Sequence, residues 1–395
     1  MRMNFSEGSE ESYFFSQPHQ PFFILAFVNA IFTMLIFMLS YKGVIHLAVS
    51  PNTFHVYGLV YLLFTPAFIA FLFTTFPRFA SVQAISKEVY MRIFGLFYLA
   101  AVLFMLGAIV SPVISSLGMV ILLAGHTMAF GILKKIHDTT AMSDKHDLFW
   151  ILLAMGFGVV SHLLYVISEL FFAPLQGFAT QMAIYLYLFL LTFSVAQRMV
   201  PFFSHCMIDK NVNLLKIVSI LLALHVVLET LYPHLSFPAD LALAFVIGRE
   251  LKRWGLPFPN ENPLLWILHI SLFWVPVAFF LGAVSNLLAL FLGINVLFLD
   301  IHTLMLGFVF TILIGFGTRV TIGHSGNMMQ ADKWTKRLFI WTQVVVAIRI
   351  LTSMVAALGW NYMILFDISA TTWILMFIFW AVRFFAVLIS GKKLV

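Results

Sequence analysis

Twelve continuous apolar runs, separated by short polar stretches, leave this chain few folds to choose from. They lie at residues 21–41, 55–77, 90–110, 113–133, 148–170, 178–200, 214–231, 237–247, 264–281, 299–318, 338–358 and 368–389. A helix needs about 20 mostly apolar residues to cross a bilayer. Transmembrane strands instead alternate apolar and polar residues over about ten positions, and these runs do not alternate. Composition agrees, since 62% of the 395 residues are hydrophobic and only 10% are charged, against about 25% charged in soluble domains. Soluble globular and disordered chains are therefore excluded. We expect an all-α, polytopic integral membrane protein with about 12 transmembrane helices in contact with the lipid bilayer. A polar segment over 1–20 precedes a single twelve-helix domain over 21–395.

The eighth run, 237–247, is too short to count on hydropathy alone, and charge decides it. Cytoplasmic loops collect Lys and Arg. If the eighth run crosses, nineteen of the 22 Lys and Arg share one side with both termini, from Arg2 and Arg78 to Lys392 and Lys393. Lys42 alone lies opposite, and Arg349 and Arg383 fall inside runs. Without that crossing the basic residues scatter to both sides. We therefore expect twelve spans with both termini cytoplasmic. The net charge of +6 reports this asymmetry and not affinity for nucleic acid. The one cysteine, Cys206, excludes an intramolecular disulfide and any CxxC site. The polar N-terminal segment is acidic, with Glu7, Glu10 and Glu11, and has no signal-peptide pattern. No Walker loop, dinucleotide fingerprint, nucleophile elbow or HExxH occurs. No internal repeat is evident, although a 6+6 arrangement fits the count.

Ionisable groups inside a membrane are costly and face the bundle interior or a cavity. Six of the 13 histidines lie within or at the ends of the runs: His55, His126, His162, His225, His269 and His302. Helix rise places His55, His302, His162 and His225 in the outer half, and His126 and His269 nearer the cytoplasm. Imidazoles gathered at one depth suit haem iron or copper; the plainer reading of each is an interhelical hydrogen bond. His19, His46, His137, His146 and His234 read as loop residues. Glu169, Glu229 and Asp300 read as solvated outer helix ends. Asp300 and His302 point apart on one helix, so Asp300 serves another helix. Arg349, mid-run, needs an acid, a haem propionate or carbonyls. Thr303, Gly307, Thr311 and Gly315 recur every four residues, a face that favours close helix packing over a cofactor surface.

Several motifs add to this. Pro18-His19-Gln20-Pro21-Phe22-Phe23 opens the first run. Phe54-His55 precedes Phe71-Leu72-Phe73-Thr74-Thr75-Phe76-Pro77 in the second. Arg198-Met199-Val200-Pro201-Phe202-Phe203 follows the sixth. His302 through Gly307, then Thr318-Arg319-Val320-Thr321-Ile322-Gly323-His324-Ser325-Gly326, marks the tenth. Over most of its length the chain resembles the NnrS family, bacterial polytopic membrane proteins linked to nitric oxide stress and described as containing haem and copper. The chain departs from the family at the start of the second run. Where the family carries His-x-His-Glu, this chain reads His55-Val56-Tyr57-Gly58.

The resemblance implies a haem-binding protein of the bacterial inner membrane that acts in the response to nitric oxide, with copper set in doubt by the missing His and Glu. His55, His302, Arg198, Arg319 and His324 are the expected cofactor-binding residues. His55, His302, His162, His225, His126 and His269 are the candidate metal ligands. Arg198 and Arg319 at cytoplasmic helix ends would clamp carboxylates such as haem propionates, and whether they share a site with His55 and His302 stays open. The alternative is a secondary transporter with its polar site around Arg349. A haem-copper oxidase or nitric oxide reductase subunit is disfavoured, because neither an adjacent His-His pair nor His-x-His occurs. Catalytic turnover is not implied.

Overall fold

The computed structural model describes residues 12–394, so Arg2, Glu7, Glu10 and Glu11 lie outside the described residues. Twelve long helices follow one another: α1 His19–Tyr41, α2 Pro51–Phe79, α3 Lys87–Val110, α4 Pro112–Thr139, α5 His146–Leu170, α6 Leu175–Phe203, α7 Leu214–Leu231, α8 Phe237–Trp254, α9 Pro263–Leu292, α10 Leu299–His324, α11 Lys333–Ala357 and α12 Met363–Ser390. Among the described residues there are no strands. The starts obey local chemistry. Ser50, Asn262 and Asp332 accept backbone N–H bonds from Thr53, Leu264 and Thr335 at 3.0, 3.0 and 2.8 Å, satisfying otherwise orphaned donors. Prolines at the first turns of α2, α4 and α9 cost no hydrogen bond there. At the other end, α8 and α12 stop at Gly255 and Gly391, which take φ of +59° and +65°, a conformation that favours glycine.

Eleven of these helices are long and apolar enough to cross a membrane, and the chain is a multi-pass membrane protein. The remaining helix, α8, carries Asp240, Arg249, Glu250, Lys252 and Arg253. Its packing shows its course. Near its start Ser236 bonds Glu229 at the end of α7 (2.9 Å), mid-way Asp240 bonds His225, and near its end Glu250 and Arg253 reach Asn211 and Asp209 just before α7 (both 3.0 Å). Thus α8 runs antiparallel to α7 along its whole length and reaches as far across the bundle as that span. Both ends of the described chain lie at the same face of the bundle. Leu394 donates its backbone N–H to Asn327 (2.7 Å), and Gln17 accepts from His324 (2.9 Å). This is the face richer in Lys and Arg.

The helices are not equivalent. In the most apolar stretch of α2, α6 and α10, 89%, 83% and 72% of residues are buried, against 33–50% in the other candidate spans. These three are the inner helices, touching one another through Tyr187–Thr65, Phe189–Phe308 and Phe71–Phe316. Phe68, Phe71, Leu191, Ile312 and Phe316 line an apolar space between them. Each also widens into i→i+5 turns, over Gly58–Phe64, Met182–Phe189 and Thr303–Phe310. From the start of its widened turns each helix runs on for the same length, from Gly58 to Phe79, from Met182 to Phe203 and from Thr303 to His324. The chain therefore has a four-helix period: α1–α4, α5–α8 and α9–α12 each place their second helix inside. A 6+6 arrangement is not what forms. The ring closes where α12 packs on α1, as Trp380 against Phe27 (4.4 Å).

The period is also visible at the basic face. Arg198 of α6 lies over the ring of Phe79, the last residue of α2, at 4.4 Å, and Arg319 of α10 lies over Phe203, the last residue of α6, at 4.2 Å. Arg78 of α2 completes the cycle by approaching His324, the last residue of α10, at 3.3 Å. Cation–π contacts of this kind contribute about 0.5–2 kcal/mol each. At the same face, Asp332 accepts from Arg383 at 2.6 Å, so this arginine of α12 meets an acid. Partial burial raises the Asp332 carboxyl, but bonds from Thr335 and the Arg383 guanidinium outweigh it and hold it below the usual carboxylate range.

The four-residue stripe on α10 is a packing face. A Cβ on Gly307 would stand 2.7–3.0 Å from Trp274 of α9, and one on Gly315 would stand 2.9 and 3.0 Å from Leu268 and Ile267. Gly307→Ala is therefore expected to destabilise by about 1–3 kcal/mol, because the indole cannot give way. Gly95→Ala, with nothing within 4 Å of its Cβ, should be neutral or slightly stabilising. Thermal unfolding of both in detergent checks this, and equal midpoints would refute the tight α9–α10 contact.

Candidate functional site

Three polar clusters sit between successive inner helices. The first joins α10 to α2. His55, in the first turns of α2, and His302, in the first turn of α10, bring their rings to 6.3 Å between centroids with planes 28° apart. Phe37 of α1 covers His55 at 4.4 Å. His302 Nδ1 lies 2.8 Å from the Phe298 carbonyl, one turn back. Arg349 of α11 lies 3.1 Å from the same Nδ1 and donates to the Leu297 carbonyl (3.3 Å) and to the Ser353 hydroxyl. Carbonyls thus answer part of its need, and among the described residues no carboxylate pairs with it.

A fit test for haem rests on the donor set. Two imidazoles from different helices lie 6.3 Å apart between centroids, His55 Nδ1 is buried without a hydrogen-bond partner, and a guanidinium beside the pair suits propionates. The residues fit the group.

The second cluster joins α2 to α6 with α4 and α5 behind it. Tyr57 of α2 bonds His162 Nε2 of α5 at 2.8 Å, and His162 Nδ1 faces His126 Nδ1 of α4 at 3.3 Å. Tyr61 stacks on His162 at 4.0 Å, and its hydroxyl bonds Ser161 at 3.3 Å. Tyr187 of α6 lies 5.4 Å from His126. Gly158 permits this, since a Cβ there would enter the Tyr187 ring at 2.6 Å. His126 therefore sits at the level of His162, deeper in the bundle than a cytoplasmic-half position.

The third cluster joins α6 to α10 with α7, α8 and α9 behind it. His225 Nδ1 and Asp240 meet at 2.6 Å, both 2% exposed. Asp240 also accepts from Ser236 (3.2 Å) and Asn286 (3.3 Å), and Tyr185 donates to Asp300 at 3.3 Å while its ring covers His225 at 4.0 Å. Asp300 thus serves α6, as its position relative to His302 requires. Glu229 accepts from Ser236, and Glu169 accepts from Thr53 (2.7 Å) and Gln176 (2.6 Å), so these acids are engaged and not merely solvated.

The other predicted residues lie at the basic face. Arg198 donates to Asp147 at 2.7 Å, with Lys210 on the same carboxylate at 2.6 Å. Arg319 has the Phe203 ring. His324 bonds Gln17 and Arg78, and its ring lies 5.0 Å from His19. His19 is buried in the first turn of α1 and is not a loop residue; His137 lies in the last turn of α4, and His146 opens α5. His269 bonds Ser204 at 2.7 Å and meets none of the other five histidines. His302 and His324 bound α10, about 33 Å apart along its axis at about 1.5 Å per residue. Arg319 and His324 therefore do not share a cofactor with His55 and His302. The partners Asp147, Asp240, Tyr185 and Arg78 carry no signal of their own in the sequence.

No curated protein matches the chain. The family model described as NnrS protein matches residues 13–392, nearly the whole length and all twelve helices with their inner-helix motifs, and the chain belongs to the NnrS family.

Proposed function

We propose that this protein binds one haem between α2 and α10, through His55 and His302, and acts in the response to nitric oxide in the bacterial inner membrane. The observation that carries the haem is the pairing of two imidazoles from different helices, 6.3 Å apart, with Arg349 beside them. The role in nitric oxide stress rests on family membership. The chain's own groups bind and orient: two imidazoles supply donors from different helices, Phe37 shields one, and Arg349 offers charge to propionates. A haem held there would supply a redox-active iron. The basic face turns toward the cytoplasm on the positive-inside bias, which puts this site in the outer half of the membrane.

Arg349 lies against the ring pair, bonded to Leu297 and Ser353 and beside His302. The inner helices run through their widened turns without breaking, whereas transporter sites often sit on broken helices. The test is an absorption spectrum with iron analysis on protein purified after expression with haem available. We expect a Soret band and about one haem per chain, and a deletion strain more sensitive to a nitric oxide donor. Folded protein without haem under those conditions would refute the haem assignment. A haem-replete protein whose loss leaves sensitivity unchanged would refute the physiological one.

A further inference from the structure

His126 and His162 are fully buried and meet Nδ1 to Nδ1 at 3.3 Å. Two imidazoles on neighbouring helices are the beginning of a transition-metal site, and copper is the metal the family resemblance implies. The donors present do not complete one. Both nitrogens of His162 are taken, Nδ1 by His126 and Nε2 by the Tyr57 hydroxyl at 2.8 Å. Tyr61, stacked 4.0 Å away at 16°, holds the ring in that orientation. His126 keeps one open nitrogen, Nε2, which is buried and without a hydrogen bond. Among the described residues no group of three or more His, Cys, Asp and Glu side chains is placed to hold a metal ion.

We infer that Tyr57 decides the metal specificity of this cluster. It holds His162 and His126 as a phenol–imidazole–imidazole chain closed to copper, and an imidazole at position 57 would open it. The argument is one of reach. A tyrosine oxygen extends about 2 Å beyond the Nε2 of a histidine built on the same Cβ, roughly the length of one metal–nitrogen bond. The hydroxyl of Tyr57 therefore occupies the place an ion would take, 2.8 Å from His162 Nε2. A histidine at 57 withdraws the donor by one bond length and frees that place. A phenol is a poor substitute ligand, because an ordinary pKa of about 10 keeps it protonated at neutral pH. Gly58 reinforces the closure. A Cβ there would stand 2.5 Å from Thr33 Cγ2 and 2.9 Å from Thr33 Oγ1 on α1, so the family's glutamate fits only if Thr33 shrinks with it. Tyr57 and Gly58 are thus matched to their neighbours and form a coherent alternative to a metal site.

The test is copper retained per chain after loading detergent-purified full-length protein with Cu(I) and dialysing, and it does not depend on haem content. Wild type is expected to hold no more copper than His162→Ala. Tyr57→His, alone or with Gly58→Glu and Thr33→Ala, is expected to gain about one copper per chain, and His162→Ala in that background should remove it. Tyr57→Phe frees His162 without adding a donor and should stay at the wild-type level. Copper in wild type that His162→Ala abolishes would overturn the inference, as would folded Tyr57→His proteins that remain at background. Should Tyr57→His fail to fold, the comparison of wild type with His162→Ala still decides.

Discussion

Alanine at His55 or at His302 is expected to strip the protein of its haem, with the Soret band and the iron content falling together. In the proposed site the two imidazoles come from different helices, so no neighbour takes over. Arg349→Ala is a graded version of the same experiment. It removes a charge beside the site but no ligand, and losses of that kind typically weaken binding about 10–100-fold. His269→Ala serves as the control, since that histidine bonds Ser204 away from the ring pair and should leave the spectrum unchanged. If His55→Ala and His302→Ala both stay folded and fully haem-loaded, the ligand pair is wrong. If only one of them loses haem, the iron is held from one helix and the close approach of the two rings has another cause.

The second large effect is expected at Asp240. Its carboxylate meets His225 at 2.6 Å with both groups 2% exposed, and Asp300 and Glu229 lie in the same cluster. Among the described residues no Lys or Arg pairs with these acids, so His225 is the natural counter-charge. Two magnitudes compete. Losing an ordinary interhelical hydrogen bond in a membrane protein costs about 0.6 kcal/mol. Removing one partner of a buried ion pair costs about 3–5 kcal/mol, because the other charge stays buried and unpaired. We expect Asp240→Ala to fall in the larger class. Asp240→Asn, which keeps bonds to Ser236 and Asn286, should still lose most of the ionic part. Unfolding in mixed micelles measures the difference. A loss below about 1 kcal/mol for Asp240→Ala would mean the pair is neutral and held as a simple hydrogen bond.

Much of the scaffold is legible in the sequence, because hydropathy and the Lys/Arg bias act on whole segments. Even the short eighth run forms a helix traversing the bundle, and His55 and His302 do meet. What escapes is pairing between segments. Distances to run ends put His126 in the cytoplasmic half and His162 in the outer half, yet α4 extends to Thr139 and shifts the count, so the two rings touch. Asp240 sits in a run that looks merely short, and its partner His225 comes earlier in the chain, on another helix. Nothing local announces either. The three-part organisation also escapes, because the inner helices share a spacing and a terminal Arg–aromatic contact, not a recurring run of residues. Arg198 illustrates the limit: its motif is visible, but the anion it meets is Asp147, on the preceding helix.

Electron paramagnetic resonance of the ferric protein tests the central claim most directly, because it reports the axial ligands and not only the presence of haem. The account predicts a low-spin ferric signal of bis-imidazole type, converted to high spin or lost when either His55 or His302 is replaced. A wild-type signal that is high-spin, or a low-spin signal that survives both replacements, would contradict the placement of haem between α2 and α10.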